Sequence, residues 1–417
     1  MKIFNIKHNP ILNYRSVISN TSIKKNQIIL NEIGFYHHNK LPQKNTIICG
    51  SCGKIYDISN IDNGHSCVYC SDWFCKSRYC KQRYTIHMKI CNMIDKYHDD
   101  IPAIYRLIIE LSYYPKLYNQ ITNNYYNNFN VIFPKQYLNY LNKKVNLNNL
   151  NKLFGIIYTN QFESTYSILT ELYDSTISGY FIPLKNAHLF NHNCKPNACF
   201  YVFGNRIIIK ALQDIKKNEE ITISYNGQDT LIHKHSIKNI FNFDCNCNNH
   251  ENYILNEYVP PNDNWIKTII EIEPCNLSQK IKQQTIFKFY KLKNLKKIKE
   301  YIKHFDNIKY IDTVCNQILR WLLQINNPIY IKYLISIVNL IEQKIINNRN
   351  KIKKLTNINY INDDNTLNCY YVRMMFDLKY KSIFKNKIKN IFGNFNYLSE
   401  FMIFANRKNK RNNCNLL

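Results

Sequence analysis

Eight sulfur and imidazole donors crowd into one segment of the chain: Cys49, Cys52, Cys67, Cys70, Cys75, Cys80, His87 and Cys91. Their spacing is C-x2-C, fourteen residues, C-x2-C, four, C, four, C, six, H-x3-C. A pair of cysteines two apart lets one tight turn aim both sulfurs at a single ion. His87 and Cys91, four apart, share one face of a helix. Eight donors make two closed tetrahedral sites for Zn2+ with no position left for water, which is structural rather than catalytic zinc. The segment has too few aliphatic residues to fold by burial alone, so metal supplies the missing free energy. Farther on, Cys245, Cys247 and His250 offer three more donors. A fourth must come from elsewhere, and Cys194 is the natural candidate.

A different chemistry is suggested by Asn191-His192-Asn193-Cys194-Lys195-Pro196-Asn197, followed after about one hairpin by Glu219-Glu220-Ile221-Thr222-Ile223-Ser224-Tyr225. The first stretch brings amides and an imidazole between apolar flanks, Ala187 to Phe190 upstream and Ala198 to Phe203 downstream. Buried amides must find partners, since each one left unpaired costs about 1–3 kcal/mol. The residue types alone read equally as a satisfied core turn or as a site.

The elements that must position these groups follow from periodicity. Residues 1–48 alternate apolar and polar positions. Strands are predicted at 16–19 and 27–30, with Ile23-Lys24-Lys25-Asn26 as the turn between them. Residues 92–175 read as helical, with apolar residues at helical spacing over 101–117 and 154–172. The Asn- and Tyr-rich stretch 119–151 between them reads as loop with short helices. Strands return over 176–228, one at 206–211 after a Phe203-Gly204-Asn205 turn and another at 219–225. A short helix is predicted at 233–240. From 252 to 417 the spacing is helical in 265–272, 281–305, 311–325, 329–346 and 367–404, an all-α region of paired helices.

With 417 residues and 45% hydrophobic content the chain can bury two or three domain cores. No apolar run is long enough to span a membrane, and the first residues show no signal-peptide core, which places the expected location in the nucleus and/or cytoplasm. Fifteen cysteines in such a chain point to ligands rather than disulfides. The net charge of +27 has two readings: a basic face for nucleic acid or an acidic protein, or lysines scattered by a composition rich in Asn, Lys, Ile and Tyr. The basic run Arg407-Lys408-Asn409-Lys410-Arg411 reads as a solvated end or as a nuclear-import or nucleic-acid element.

The order of zinc donors resembles the MYND finger. Together with Asn-His-x-Cys-x-Pro-Asn and Glu-Glu-Ile-Thr-Ile-Ser-Tyr, nearly the whole chain resembles the SMYD family of lysine methyltransferases, whose SET domain is split by such a finger. The resemblance implies an α+β fold in six parts. Residues 1–48 are an N-terminal SET segment, 49–91 the finger, 92–175 a helical insert, 176–228 the SET core, 229–251 a post-SET zinc segment, and 252–417 a helical C-terminal domain. It also implies interleaved ligation, with Cys49, Cys52, Cys75 and Cys80 on one zinc and Cys67, Cys70, His87 and Cys91 on the other. Cys194, Cys245, Cys247 and His250 would hold a third. The implied activity is methyl transfer from S-adenosylmethionine to a lysine of a histone or non-histone protein, with a peptide as a further partner of the finger and a role in chromatin regulation.

The same resemblance assigns roles. Tyr225 is the active-site tyrosine. Arg15, Asn160, Asn191, His192 and Phe243 contact the cofactor, and Phe241 lines the lysine channel. Two departures accompany it. Where the family carries an early Gly-x-Gly this chain has Tyr14-Arg15-Ser16, and Phe241 stands where the channel tyrosine usually does. They motivate a second expectation, a SET protein that has lost transfer and serves as a zinc-finger interaction scaffold.

Overall fold

The sequence Ile-Lys-Lys-Asn occurs twice, at 23–26 and 215–218, and in the computed structural model the two copies face each other. Ile23 and Ile215 exchange both backbone hydrogen bonds at 2.9 Å. Each turn closes on an asparagine at positive φ, 72° at Asn26 and 68° at Asn218, a region that asparagine tolerates better than most residues. Each is latched by the next side chain: the Lys24 amide donates to Gln27 Oε1 at 3.0 Å and the Lys216 amide to Glu219 Oε2 at 2.8 Å. The pairing extends through Ile221 N to Val17 O at 2.7 Å and Ser19 N to Glu219 O at 2.9 Å.

The structure describes residues 3–9, 14–38, 46–70, 72–91, 103–113, 115–124, 132–140, 146–165, 178–225, 292–305, 311–322, 331–356, 369–373 and 378–392, with isolated positions between 266 and 285. The chain divides into two units, one holding residues 1–167, 176–246 and 396–417, the other 168–175 and 247–395.

In the first unit, β1 (Phe4–Asn9) pairs antiparallel with β2 (Tyr14–Ser19). A six-stranded sheet runs β3 (Ile28–Ile33), β13 (Arg206–Ala211), β12 (Ala198–Phe203), β9 (Phe162–Thr165), β10 (Ser178–Ile182) and β4 (Phe35–His38). Ile207, Ile208 and Ile209 are fully buried, as the unbroken apolar run of β13 requires of a central strand. A third, very short pairing joins β11 (Asn191–His192) to β14 (Thr222–Ile223), in parallel. Val17, Ile23, Phe190, Ile209, Ile215 and Ile221 belong to one core, so strands from both ends of this unit share the same interior.

The cysteine-rich segment folds as two hairpins, β5 (Thr46–Ile48) with β6 (Ile55–Asp57) and β7 (Gly64–Ser66) with β8 (Trp73–Cys75), followed by α1 (Arg78–Cys91). Its core is made of Cys49, Cys52, Cys75 and Cys80 with Trp73 and Phe74. It packs on the tip of the β12–β13 hairpin through two glycines. Gly53 (φ 72°) and Gly204 (φ 53°) lie so close that a Cβ on Gly53 would stand 2.6 Å from the Gly204 Cα, and a Cβ on Gly204 would stand 2.1 Å from the Cys52 carbonyl oxygen. Only glycine combines that φ with that approach.

Three helices form the insert: α2 (Ala103–Ser112), α3 (Pro115–Asn124) and α4 (Leu147–Asn160). Asn146 caps α4, its side chain accepting from the Asn149 amide at 3.2 Å. The Asn-rich stretch, expected as loop with short helices, is helical through Asn124 and again from Leu147. One sequence expectation shifts here. The helix expected over 154–172 instead stops at Asn160, because Phe162 enters the sheet as β9, pairs with β10 and packs against Phe181 and Phe200. Sheet pairing overrides the helical apolar spacing.

The second unit is helical among the described residues: α5 (Leu292–His304), α6 (Ile311–Leu322), α7 (Ile331–Thr356) and α8 (Lys381–Phe392). Leu295, Ile298, Leu319, Leu334, Ile341 and Ile345 are buried along their apolar stripes, and the buried Trp321 donates to the Ile269 carbonyl at 3.1 Å. The α+β class is therefore met by a β-rich region with a finger and a helical insert, followed by helices.

Gly204→Ala introduces about 1–2 kcal/mol of left-handed strain and a backbone clash with the finger. We expect a lowered denaturant midpoint and faster metal release from the finger, read by a chromogenic chelator.

Candidate active site and zinc centres

Both zinc quartets are assembled as expected. The donor atoms of Cys49, Cys52, Cys75 and Cys80 lie within 4.8 Å of one another, as do those of Cys67, Cys70, His87 and Cys91. The hairpins set the first quartet: Cys49 and Cys52 flank the β5–β6 turn, Cys75 ends β8, and Cys80 opens α1. The same helix carries His87 and Cys91 one turn apart. The spacing fits zinc. Zn–S bonds of about 2.3 Å place tetrahedral sulfurs about 3.8 Å apart, and Cys52 and Cys75 sulfurs stand 3.9 Å apart. His87 Nε2 is 3.3 Å from Cys70 Sγ, close to the roughly 3.5 Å that such bond lengths imply.

Charge gives a second test of fit. In the first quartet burial pushes the Cys49 thiol up, while its hydrogen bonds and those of Cys52 draw Cys75 down and bring Cys80 to about 7. Four buried sulfurs in contact cannot all ionise against one another. A divalent cation among them removes that conflict, and the Cys75 amide already donates to Cys49 Sγ at 3.3 Å.

The polar stretches converge at the β11–β14 pairing. Asn197 is spent on the fold: its Oδ1 accepts from the Thr222 amide at 2.9 Å, and its Nδ2 donates to the Glu220 carbonyl at 2.7 Å and Glu219 Oε1 at 3.2 Å. Asn191 Nδ2 donates to the Arg15 carbonyl at 2.6 Å and to Glu220 Oε1 at 2.8 Å. The structure thus brings Arg15 and Asn191 together. Tyr14-Arg15-Ser16 forms the start of β2, with Arg15 opposite His8.

Tyr225 lies in the same cluster. Its hydroxyl donates to the Phe190 carbonyl at 3.0 Å, and its amide donates to His192 Nδ1 at 3.0 Å. That bond leaves the ring proton on Nε2, which points at Cys194 Sγ 3.0 Å away. Burial, reinforced by the Glu220 carboxylate, raises the Tyr225 hydroxyl well above its ordinary value, so it stays a neutral phenol. Cys194 is buried. Asn160 stands at the end of α4 with its amide turned back on the Ile156 carbonyl and Thr159 Oγ1, both at 2.8 Å. Phe241, Phe243, Cys245, Cys247 and His250 lie outside the described residues.

Sequence reasoning missed Glu32. This buried carboxylate on β3 accepts from four consecutive amides, Leu184 to Ala187, at 2.8, 2.8, 2.8 and 3.1 Å. It fixes the turn that delivers Phe190 and Asn191. Its signal in the sequence is a lone acid in the strand Ile28-Ile29-Leu30-Asn31-Glu32-Ile33.

A family model described as the SET domain matches residues 14–226. A Saccharomyces cerevisiae relative, "Potential protein lysine methyltransferase SET6", is 36% identical over 72 residues, 16% of this chain and 19% of its own. "Histone-lysine N-methyltransferase ASHR1" of Arabidopsis thaliana is 24% identical over 226 residues, 49% of this chain and 46% of its own. Each match therefore spans less than half of the relative's length. The crystal structure of the SET domain of LSMT bound to lysine and AdoHcy aligns over 93% of this chain and 88% of that one, with a TM-score of 0.25 and 9% identity.

Trp73 is buried beside the first quartet and donates from Nε1 to the Ile61 carbonyl at 2.9 Å. Stripping zinc with a strong chelator is expected to red-shift tryptophan emission in the native chain and to leave a Trp73→Phe variant unshifted. Elemental analysis of a Cys52→Ser, Cys75→Ser variant is expected to show one zinc fewer per chain than the native protein.

Proposed function

The chain belongs to the SET domain family, and on that premise we propose that it is a protein-lysine N-methyltransferase using S-adenosylmethionine. One observation carries the reading: three segments far apart in sequence meet at Tyr225. Asn191 ties the Arg15 carbonyl to the Glu220 carboxylate, and Tyr225 is held on the Phe190 carbonyl. When bound, the cofactor supplies an electrophilic methyl group on a sulfonium centre. The Glu220 carboxylate gives the surroundings a negative potential that suits a positively charged ligand. Asn191 has its Nδ2 committed to the protein and its Oδ1 left for the cofactor. Arg15, Asn160, His192 and Phe243 complete the proposed cofactor contacts, Arg15 by pairing with a carboxylate.

Tyr225 acts by position. Its proton is held on the Phe190 carbonyl, so near neutral pH it is not a base. Its oxygen orients the substrate amine. That amine, with an ordinary pKa of about 10.4, must shed its proton before attack. An apolar channel to which Phe241 contributes disfavours the ammonium form and helps that loss. Holding amine and methyl group in line supplies much of the remaining acceleration. Cys194 is proposed to join Cys245, Cys247 and His250 on a third zinc. The support is its burial and the His192 N–H aimed at its sulfur. The substrate is a protein carrying the target lysine. No described helix is long and apolar enough to cross a membrane.

Calorimetric titration with S-adenosylmethionine is expected to show one site, and the absence of heat at high protein concentration would support the scaffold reading instead. Tyr225→Phe is expected to lower kcat on lysine peptides by roughly 100-fold or more with cofactor affinity within a few fold. Below about pH 10, kcat/KM is expected to rise as the substrate amine deprotonates. The variant should keep that profile shape, because the raised Tyr225 hydroxyl does not titrate in this range.

A further inference from the structure

A buried chain of polar groups runs from the second zinc quartet into the helical insert. Arg83 on α1 holds Glu110 on α2 with both ends of its guanidinium, Nη2 donating to Oε2 at 2.8 Å and Nη1 to Oε1. Both side chains are buried. The Arg83 guanidinium also lies over the Phe35 ring, 4.9 Å from its centroid. Glu110 Oε1 then stands 3.9 Å from His87 Nδ1. The opposite nitrogen of that imidazole, Nε2, faces Cys70 Sγ at 3.3 Å, with Asp72 Oδ2 at 4.0 Å on the same side. The Phe74 ring packs 5.0 Å from the imidazole.

We propose that Glu110 is the outer carboxylate of the Cys67, Cys70, His87 and Cys91 zinc site, a positioning residue supplied from outside the finger and held in place by Arg83. A histidine that gives one nitrogen to a metal presents the other as an N–H donor. A carboxylate on that donor fixes the tautomer, orients the ring and strengthens the ligand. Here the two nitrogens are already sorted, Nε2 toward the sulfurs and Nδ1 toward Glu110. The gap of 3.9 Å is about 1 Å beyond a direct hydrogen bond, within reach of a small ring rotation. Asp72 lies on the sulfur side and cannot take this part. A buried carboxylate needs a counter-charge, which explains the two-pronged hold of Arg83. The consequence is that metal affinity in the finger depends on a residue of the insert. Docking α2 and loading zinc become one equilibrium.

The test is a competition titration of the full chain with a chromogenic chelator, alongside the visible absorption of the Co2+-substituted protein. There the all-cysteine quartet and the histidine-containing quartet absorb differently. Glu110→Gln is expected to weaken the histidine-containing site by about 10–100-fold and to change its Co2+ spectrum, with the all-cysteine site unmoved. Unchanged affinity at the histidine-containing site would overturn the proposal. A second background separates ring orientation from general loosening. In His87→Cys there is no imidazole to orient, so adding Glu110→Gln should then cost nothing further in metal affinity, whereas an equal loss in both backgrounds would overturn the proposal. If Glu110→Gln does not fold, Glu110→Asp keeps the charge opposite Arg83 but withdraws it from the ring by one methylene and is read the same way. The proposal rests on both quartets holding zinc; failure of that premise would appear separately, as a native chain that binds no ion at the histidine-containing site.

Discussion

Two asparagine side chains hold the centre of this protein together. Asn197 and Asn191 lie where segments far apart in sequence cross, and the backbones there pair over only two residues. So short a ladder leaves polar groups inside the protein that the sheet does not satisfy. Asn197 answers with one acceptor and two donor bonds, and Asn191 with two donor bonds that reach β2 and Glu220. Each amide left unmade would cost about 1–3 kcal/mol. The asparagines therefore specify the crossing as much as they stabilise it. The placement of Tyr225 follows, since its amide and hydroxyl hang on His192 and Phe190 in the same knot.

Among the contacts that attach the finger to its surroundings, two stand out. One is steric: Gly53 against Gly204, where any side chain would push the hairpin tip away. The other is electrostatic: Arg83 and Glu110, buried and doubly bonded between α1 and α2. The finger's own core is Cys49, Cys52, Cys75 and Cys80 with Trp73 and Phe74, so ligation is expected to supply much of its stability, while these contacts help to orient it.

Much of this was legible in the sequence, for identifiable reasons. Zinc donors announce themselves by spacing, because a ligand pair needs a turn of fixed length. The interleaved pairing came from family resemblance, and the geometry agrees with it. Strands β12 and β13 were readable because an apolar run such as Ile207-Ile208-Ile209 has one natural home. What escaped were groups whose role depends on a partner far away in sequence. Glu32 looks like an ordinary strand acid until four amides from residues 184–187 close on it. Glu110 sits in a helix and gives no sign of Arg83. Residues 162–165 fall in a stretch of helical apolar spacing yet lie in a strand, since β10 and the rings of Phe181 and Phe200 outweigh local preference. The twin Ile-Lys-Lys-Asn turns were visible as letters, but their mutual pairing was not.

That pairing has a consequence for the making of the protein. Ile23 leaves the ribosome long before Ile215 exists. Translation at about 5–20 residues per second puts on the order of 10–40 s between them. During that interval β2 has no second edge to bind, and the apolar Val17 within it and Ile23 after it, fully buried in the finished fold, face solvent or a chaperone. The finger's eight donors, in contrast, are all present once Cys91 has emerged, and the four-cysteine site needs only zinc, while the histidine-containing site waits for Glu110 on α2. A nascent chain is thus expected to carry a partly loaded module ahead of an unfinished core. A shortage of zinc during synthesis would leave both exposed at once.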